Sequence, residues 1–128
     1  MPTRKILNIG SFANDGTGDT LRDAADKINH NFSHLYNNFN VQSIDAPENI
    51  DEDSGVVIIT NSGFSVNLVD GTEIGELKYV VNQSGGSVDL VGSVLGGSQI
   101  TLAGTSACQI IWTGLAWAVI SDNGISIT

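Results

Sequence analysis

Residues 14–39 read NDGTGDTLRDAADKINHNFSHLYNNF, a glycine-studded loop that runs straight into one long amphipathic pattern. Leu21, Ala25, Ile28, Phe32, Leu35 and Phe39 recur at alternating steps of four and three. This is a heptad seam, with Ala25, Phe32 and Phe39 at a and Leu21, Ile28 and Leu35 at d. It predicts a helix over 20–40, with Thr20 or Asp19 as N-cap and Asp23 near the first turn, where negative charge favours the helix dipole. Such a helix is about 30 Å long at 1.5 Å per residue and is unstable alone in water. Its apolar stripe therefore requires a cover. Bulky Phe at two a positions suits a seam wider than a tight dimer, so three copies are expected.

Downstream the periodicity changes. Residues 41–55, VQSIDAPENIDEDSG, hold a proline and the acids Glu48, Asp51, Glu52 and Asp53 without helical or alternating period. They predict a linker or neck, able to reach about 50 Å at roughly 3.3 Å per residue. Residues 56–128 carry strand-like runs at 56–60, 64–69, 76–82, 87–91, 98–102, 108–112, 115–120 and 125–127, separated by glycine-bearing turns. That spacing predicts an antiparallel sandwich or barrel. In CQIIWTGLAWAV, a tight turn at Thr113-Gly114 would pair Trp112 with Leu115, Ile110 with Trp117 and Cys108 with Val119, sending all six side chains to one core ridge. The expected fold is thus α+β and homotrimeric: an N-terminal arm and coiled-coil helix over 1–40, an acidic neck over 41–55 and an antiparallel β head over 56–128.

Composition narrows the partners. All of the net charge of −9 lies in residues 40–128, where Lys78 alone stands against ten acids. Such a body repels phosphate backbones and anionic lipid, so neither nucleic acid nor membrane insertion is expected. No apolar run approaches the roughly 20 residues that cross a bilayer, and MPTRKILNIG lacks a signal-like apolar segment, so the chain reads as mature and untargeted. Cys108 is the only cysteine, which rules out an intrachain disulfide and a thiolate zinc cluster.

Motifs that suggest chemistry have plainer readings. His30 and His34 are four apart, but HNFSH has Asn31 where the zinc-protease pattern has its general base. They read as surface residues at outer heptad positions, with no metal. NDGTGD lacks the lysine of a phosphate loop and the downstream glutamate of a calcium loop; it reads as a turn in which Gly16 and Gly18 supply positive φ. DEDSG lacks the walled cleft that paired glycosidase carboxylates need, and Cys108 has no cationic activator nearby. No cofactor and no enzyme activity are expected.

At LNIGSFANDGTGDTLRDAADKINHNFSHLYNNF the chain resembles the N-terminal segment of tailed-phage virion proteins, notably trimeric baseplate wedge and fibre-socket proteins of T-even-like phages. The matching residues are Asn8-Ile9-Gly10, Asp15 to Asp19, Leu21-Arg22, Lys27-Ile28-Asn29, Asn31-Phe32 and Leu35-Tyr36. Further on, "GE.K", "GG..ITL" and "W.G.AW" resemble, more loosely, a β module of phage tail, fibre and head-decoration proteins. The resemblance implies a virion structural protein, assembled in the host cytoplasm as a homotrimer. Leu21, Ala25, Ile28, Phe32, Leu35 and Phe39 would form the trimer interface, while Arg4, Lys5, Ile9, Asp15, Asp19 and Arg22 would dock to other virion proteins. It leaves open a baseplate or tail-fibre adaptor, a short fibre, a capsid decoration trimer, or an adhesion module for a host-surface glycan.

Overall fold

The computed structural model describes residues 4–37 and 40–128. Among them are one helix, α1 (Leu21–Asn37), and the strands β1 (Val41–Ile44), β2 (Val56–Ile59), β3 (Ser65–Leu68), β4 (Leu77–Asn82), β5 (Val88–Val94), β6 (Gly97–Leu102), β7 (Ala107–Trp112), β8 (Trp117–Asp122) and β9 (Ile125–Ile127). The class is α+β, a small β-rich domain with one short helix.

The strands are not all antiparallel, which corrects the expected sandwich. One block runs β1-β2-β4-β7-β8 and a second runs β5-β6-β9, with β3 on the free edge of β5. Among the described residues the strands of the two blocks pair at Val94↔Trp117, where the Leu95 amide donates to the Trp117 carbonyl at 2.9 Å. β1, β2 and β4 pair in parallel, as do β3 and β5. The physical reason is the path: from β1 through β5 the chain alternates between blocks, including a bridge from Asn49 to Asn67 before β2. Each return therefore enters its block in the same direction, and the opposite block supplies the long crossover that parallel pairing requires. From β5 onward, hairpins take over: β6 folds back on β5 and β8 on β7.

Strict alternation of burial along β3, β4 and β7 sends one side of each strand into a single core. Ile44, Ile59, Val80, Leu90, Ile100, Ile110 and Trp117 are all fully buried there, each such apolar side chain contributing about 1.5–3 kcal/mol. Ile44, Ile59 and Asn82 stack in register across β1, β2 and β4. Asn82 closes that stack: its Nδ2 donates to the carbonyls of Gly86, Leu102 and Ala103, and its Oδ1 accepts from the Ser84 amide and hydroxyl.

Residues 41–55, expected as a neck, contribute to the head instead. β1 extends its sheet, and Ile44 and Ile50 are fully buried. Lys78, its side chain 1% exposed, ties the rest of the segment down: its Nζ donates to the carbonyls of Asp51 (3.1 Å), Glu52 (3.3 Å) and Ser54 (2.7 Å). Glu76 stands 3.8 Å from the same ammonium. Burial pulls the Lys78 pKa down, against the opposing pull of Glu76. The "GE.K" pattern is thus a buried charge pair that clamps the start of the head.

The β7–β8 hairpin also differs in register. Trp112 pairs with Trp117 and Ile110 with Val119, and a bulge follows before Gln109↔Ser121. A four-residue loop replaces the tight turn because the Thr113 hydroxyl accepts from the amides of Leu115 and Ala116. Leu115, expected in the ridge, is 88% exposed. Trp112, Trp117, Ile110 and Cys108 are buried as read, the two indoles 5.4 Å apart. Trp117 Nε1 donates to the Val69 carbonyl at 2.9 Å.

Candidate docking and assembly site

The arm, residues 4–13, folds back antiparallel along α1. Asp15 organises its turn: Oδ2 accepts from the amides of Ser11 (2.7 Å) and Phe12 (3.0 Å), and Oδ1 from that of Thr17 (2.9 Å). These bonds, with Thr17 foremost, hold the carboxyl well below the usual carboxylate range. Gly10 and Gly16 adopt φ of +78° and +73°, which only glycine does without strain. Gly18 serves a different purpose from the one expected. A Cβ there would lie 2.9 Å from the Asn8 carbonyl oxygen, so glycine permits close approach of the arm.

Asp19 is the next clasp. Its Oδ2 accepts from Lys27 Nζ (2.7 Å) and from the Asn8 amide (2.8 Å), and the Lys27 bond is the main cause of its lowered pKa. Lys27 also donates to the Ile6 carbonyl at 3.1 Å. One turn on, Asn31 bonds the Lys5 backbone reciprocally, accepting from its amide and donating to its carbonyl, both at 2.8 Å. The Thr20 hydroxyl accepts from the Asp23 amide at 3.1 Å. Thr20 is therefore the N-cap, and Asp19 instead ties the arm to the helix.

Lys27 and Asn31 lie on a flank of the helix, about 80–120° round from the centre of the heptad seam at 100° per residue. The arm covers that flank and leaves the seam open. Leu21 is 88% exposed, Phe32 67%, Leu35 61% and Ile28 41%; Ala25 is exposed as well. A trough of about 210 Å³ runs between Ile28, Asn31, Phe32 and Leu35. Phe39 lies outside the described residues.

The docking candidates divide into two groups. Arg4, Ile9 and Arg22 face solvent, Ile9 almost completely. Lys5 is fixed through its backbone, the Asp15 carboxylate by the amides of Ser11, Phe12 and Thr17, and the Asp19 carboxylate by the Asn8 amide and Lys27 of the helix. Sequence reasoning missed Phe12, which stands exposed beside the Asp15 turn; an aromatic residue bracketed by Gly10 and Gly16 in a polar loop was the available signal. His30 and His34 are half-buried rather than solvated, their rings 3.8 Å apart, and burial lowers the His34 pKa, helped by His30. Among the described residues no three potential metal ligands cluster, and no helix is long and apolar enough to cross a membrane.

The family described as "Bacteriophage T4 gp9/10-like protein, N-terminal" matches residues 4–127. The chain belongs to that family. The match takes in the arm, the helix and the β head together, so the head is part of the family's N-terminal unit as well as the roughly 30 residues around the Asp15 turn. Membership makes this a T4-like phage structural protein of the baseplate and fibre kind. It implies a place in the virion and association with other virion proteins. Among curated proteins no match was found.

Proposed function

We propose that this T4 gp9/10-like chain is a homotrimer anchored in the virion by its arm and helix, as a baseplate or tail-fibre adaptor or a short fibre. The observation that carries the reading is the open seam. The arm engages one flank of α1 through side chains of Asp19, Lys27 and Asn31, yet the apolar positions beside it remain exposed. Three parallel copies would bury those positions against each other, as a heptad demands. Ile9, Phe12, Arg4 and Arg22 then remain outside the bundle to meet the next virion protein. Both tryptophans, which a glycan-binding face would use for stacking, are buried, and this favours anchoring over adhesion. Sedimentation equilibrium of the full chain tests the assembly: a species of about three times 13.4 kDa is expected, and a monomer throughout the micromolar range overturns it. Immunogold labelling of intact particles should then mark the tail; label spread over the capsid would favour decoration.

A further inference from the structure

The two sheet blocks differ on their outer faces. On β3, β5, β6 and β9 the outward positions are mainly polar, as with Ser65, Asn67, Asp89, Gln99 and Thr101, and the Thr101 hydroxyl donates to Asp89 at 2.7 Å. On β1, β2, β4 and β7 the outward positions carry no charge, although residues 40–128 hold the whole surplus of −9. Ile58, Leu77, Tyr79, Val81 and Ile111 stand there beside one another in register, with Tyr79 47%, Leu77 39% and Val81 37% exposed. Ile120, the extra residue of the β8 bulge, adds a 52% exposed side chain. A depression of about 240 Å³ opens between Tyr79, Val81, Gln109 and Ser121, with Asp122 also lining it. This is a sheet apolar on both sides, one more than a single core uses.

We infer that this outer face is the head-to-head contact between copies of the chain, so that the assembly interface continues from the helix into the β domain. The inference rests on the trimer reading above. Three observations choose a second copy as occupant. First, the face measures roughly 20 by 20 Å from five strands about 4.8 Å apart and strands of about six residues. On its own it falls short of the ~800 Å² a side that a free-standing interface needs, but a neighbour already tethered through the helix is held at high effective concentration. Second, β1 is the edge strand of this block and begins at Val41, four positions beyond the end of α1. A parallel bundle therefore brings three copies of this block close to one axis. Third, copies of so acidic a head repel one another wherever charges face, and on the strands of this face Asp122 is the one outward charge, so the repulsion is low here.

Hydroxyl-radical footprinting of the full chain, read by mass spectrometry, tests it alongside sedimentation. Tyr79, Leu77 and Ile120 should react about three-fold or more slowly in the wild-type assembly than in an Ile58→Lys/Val81→Lys variant, whose outward lysines set like charges against each other in the contact. That variant should still sediment as a trimer through its helix, and Leu95 and Leu115, exposed on loops, should react equally in both. A wild-type trimer whose Tyr79 reacts as fast as in the variant removes the head contact and leaves the helix trimer standing. A wild-type monomer removes both. Tyr79 open in the free trimer but protected in the assembled particle assigns the face to a different virion protein and overturns the inference.

Discussion

At the residue scale, Lys78 shows how the head handles its one buried cation. Three backbone carbonyls and Glu76 surround the ammonium, and the Trp117 ring centroid lies 5.8 Å away. Lys78→Met removes the donor to three carbonyls and the ammonium beside the buried Glu76, whose Oε2 still accepts from the Thr72 amide, so it should cost about 3–5 kcal/mol in urea unfolding. Trp117→Ala should cost a similar 3–5 kcal/mol through its cavity, with the Val69 carbonyl losing its donor. Tryptophan fluorescence and denaturant midpoints measure both; a loss under 1 kcal/mol in either would contradict the packing described. Asp15 carries a pH prediction. Its folded pKa lies below the ordinary 3.8, so its contribution is complete above that value and is lost as pH falls through the depressed one. Carboxyl-carbon NMR titration should find Asp15 still ionised when exposed aspartates have protonated. The buried ridge was legible because Trp112, Ile110 and Cys108 alternate with period two. The fate of Leu115 was not, because the Thr113 hydroxyl decides the loop length and leaves no trace in the hydrophobic pattern. Lys78 was visible as the lone positive charge of residues 40–128 and as part of the "GE.K" pattern, but its burial was not, since that depends on carbonyls contributed from residues 51–54.

At the element scale, α1 was legible from its start. Thr20 caps it and the spacing of Leu21, Ile28 and Leu35 marks one face. The clasp with the arm was not legible, because Lys27 and Asn31 meet main-chain atoms of Ile6 and Lys5, which carry no sequence signal. The strands from 56 onward fell within a few residues of the runs read from alternation. β1 escaped because four residues next to a proline-bearing acidic stretch offer too short a period. The helix prediction follows from the open seam. Ile28→Asp would set three carboxylates on one axis, where desolvation and like charge both oppose burial. The variant should sediment as a monomer at concentrations where wild type is trimeric, with the β head still folded by near-ultraviolet circular dichroism. An intact trimer of this variant would sink the seam as the interface.

At the scale of the whole molecule, pairing direction was hidden for a general reason: parallel and antiparallel strands present the same alternation to a core, so winding from block to block leaves the pattern unchanged. Charge distribution, by contrast, was readable at once and bears on how the molecule attaches. The acidic surplus lies entirely in the head, while Arg4, Lys5, Arg22 and Lys27 balance the four aspartates of the arm and helix. The unit that is electrically neutral also carries the exposed Ile9 and Phe12, so close contact with another protein costs least there. Deleting residues 1–13 removes those side chains and the partners of Asn31. It leaves the Asp19–Lys27 pair at 2.7 Å, the Thr20 cap and every seam position untouched. The truncated chain should therefore assemble with wild-type stoichiometry and melt within a few degrees of it, yet be missing from purified particles when it replaces the full protein during phage growth. Quantitative immunoblotting of those particles decides the matter: normal copy number would show that attachment resides in the helix or head, and that the clasped arm serves only to brace α1.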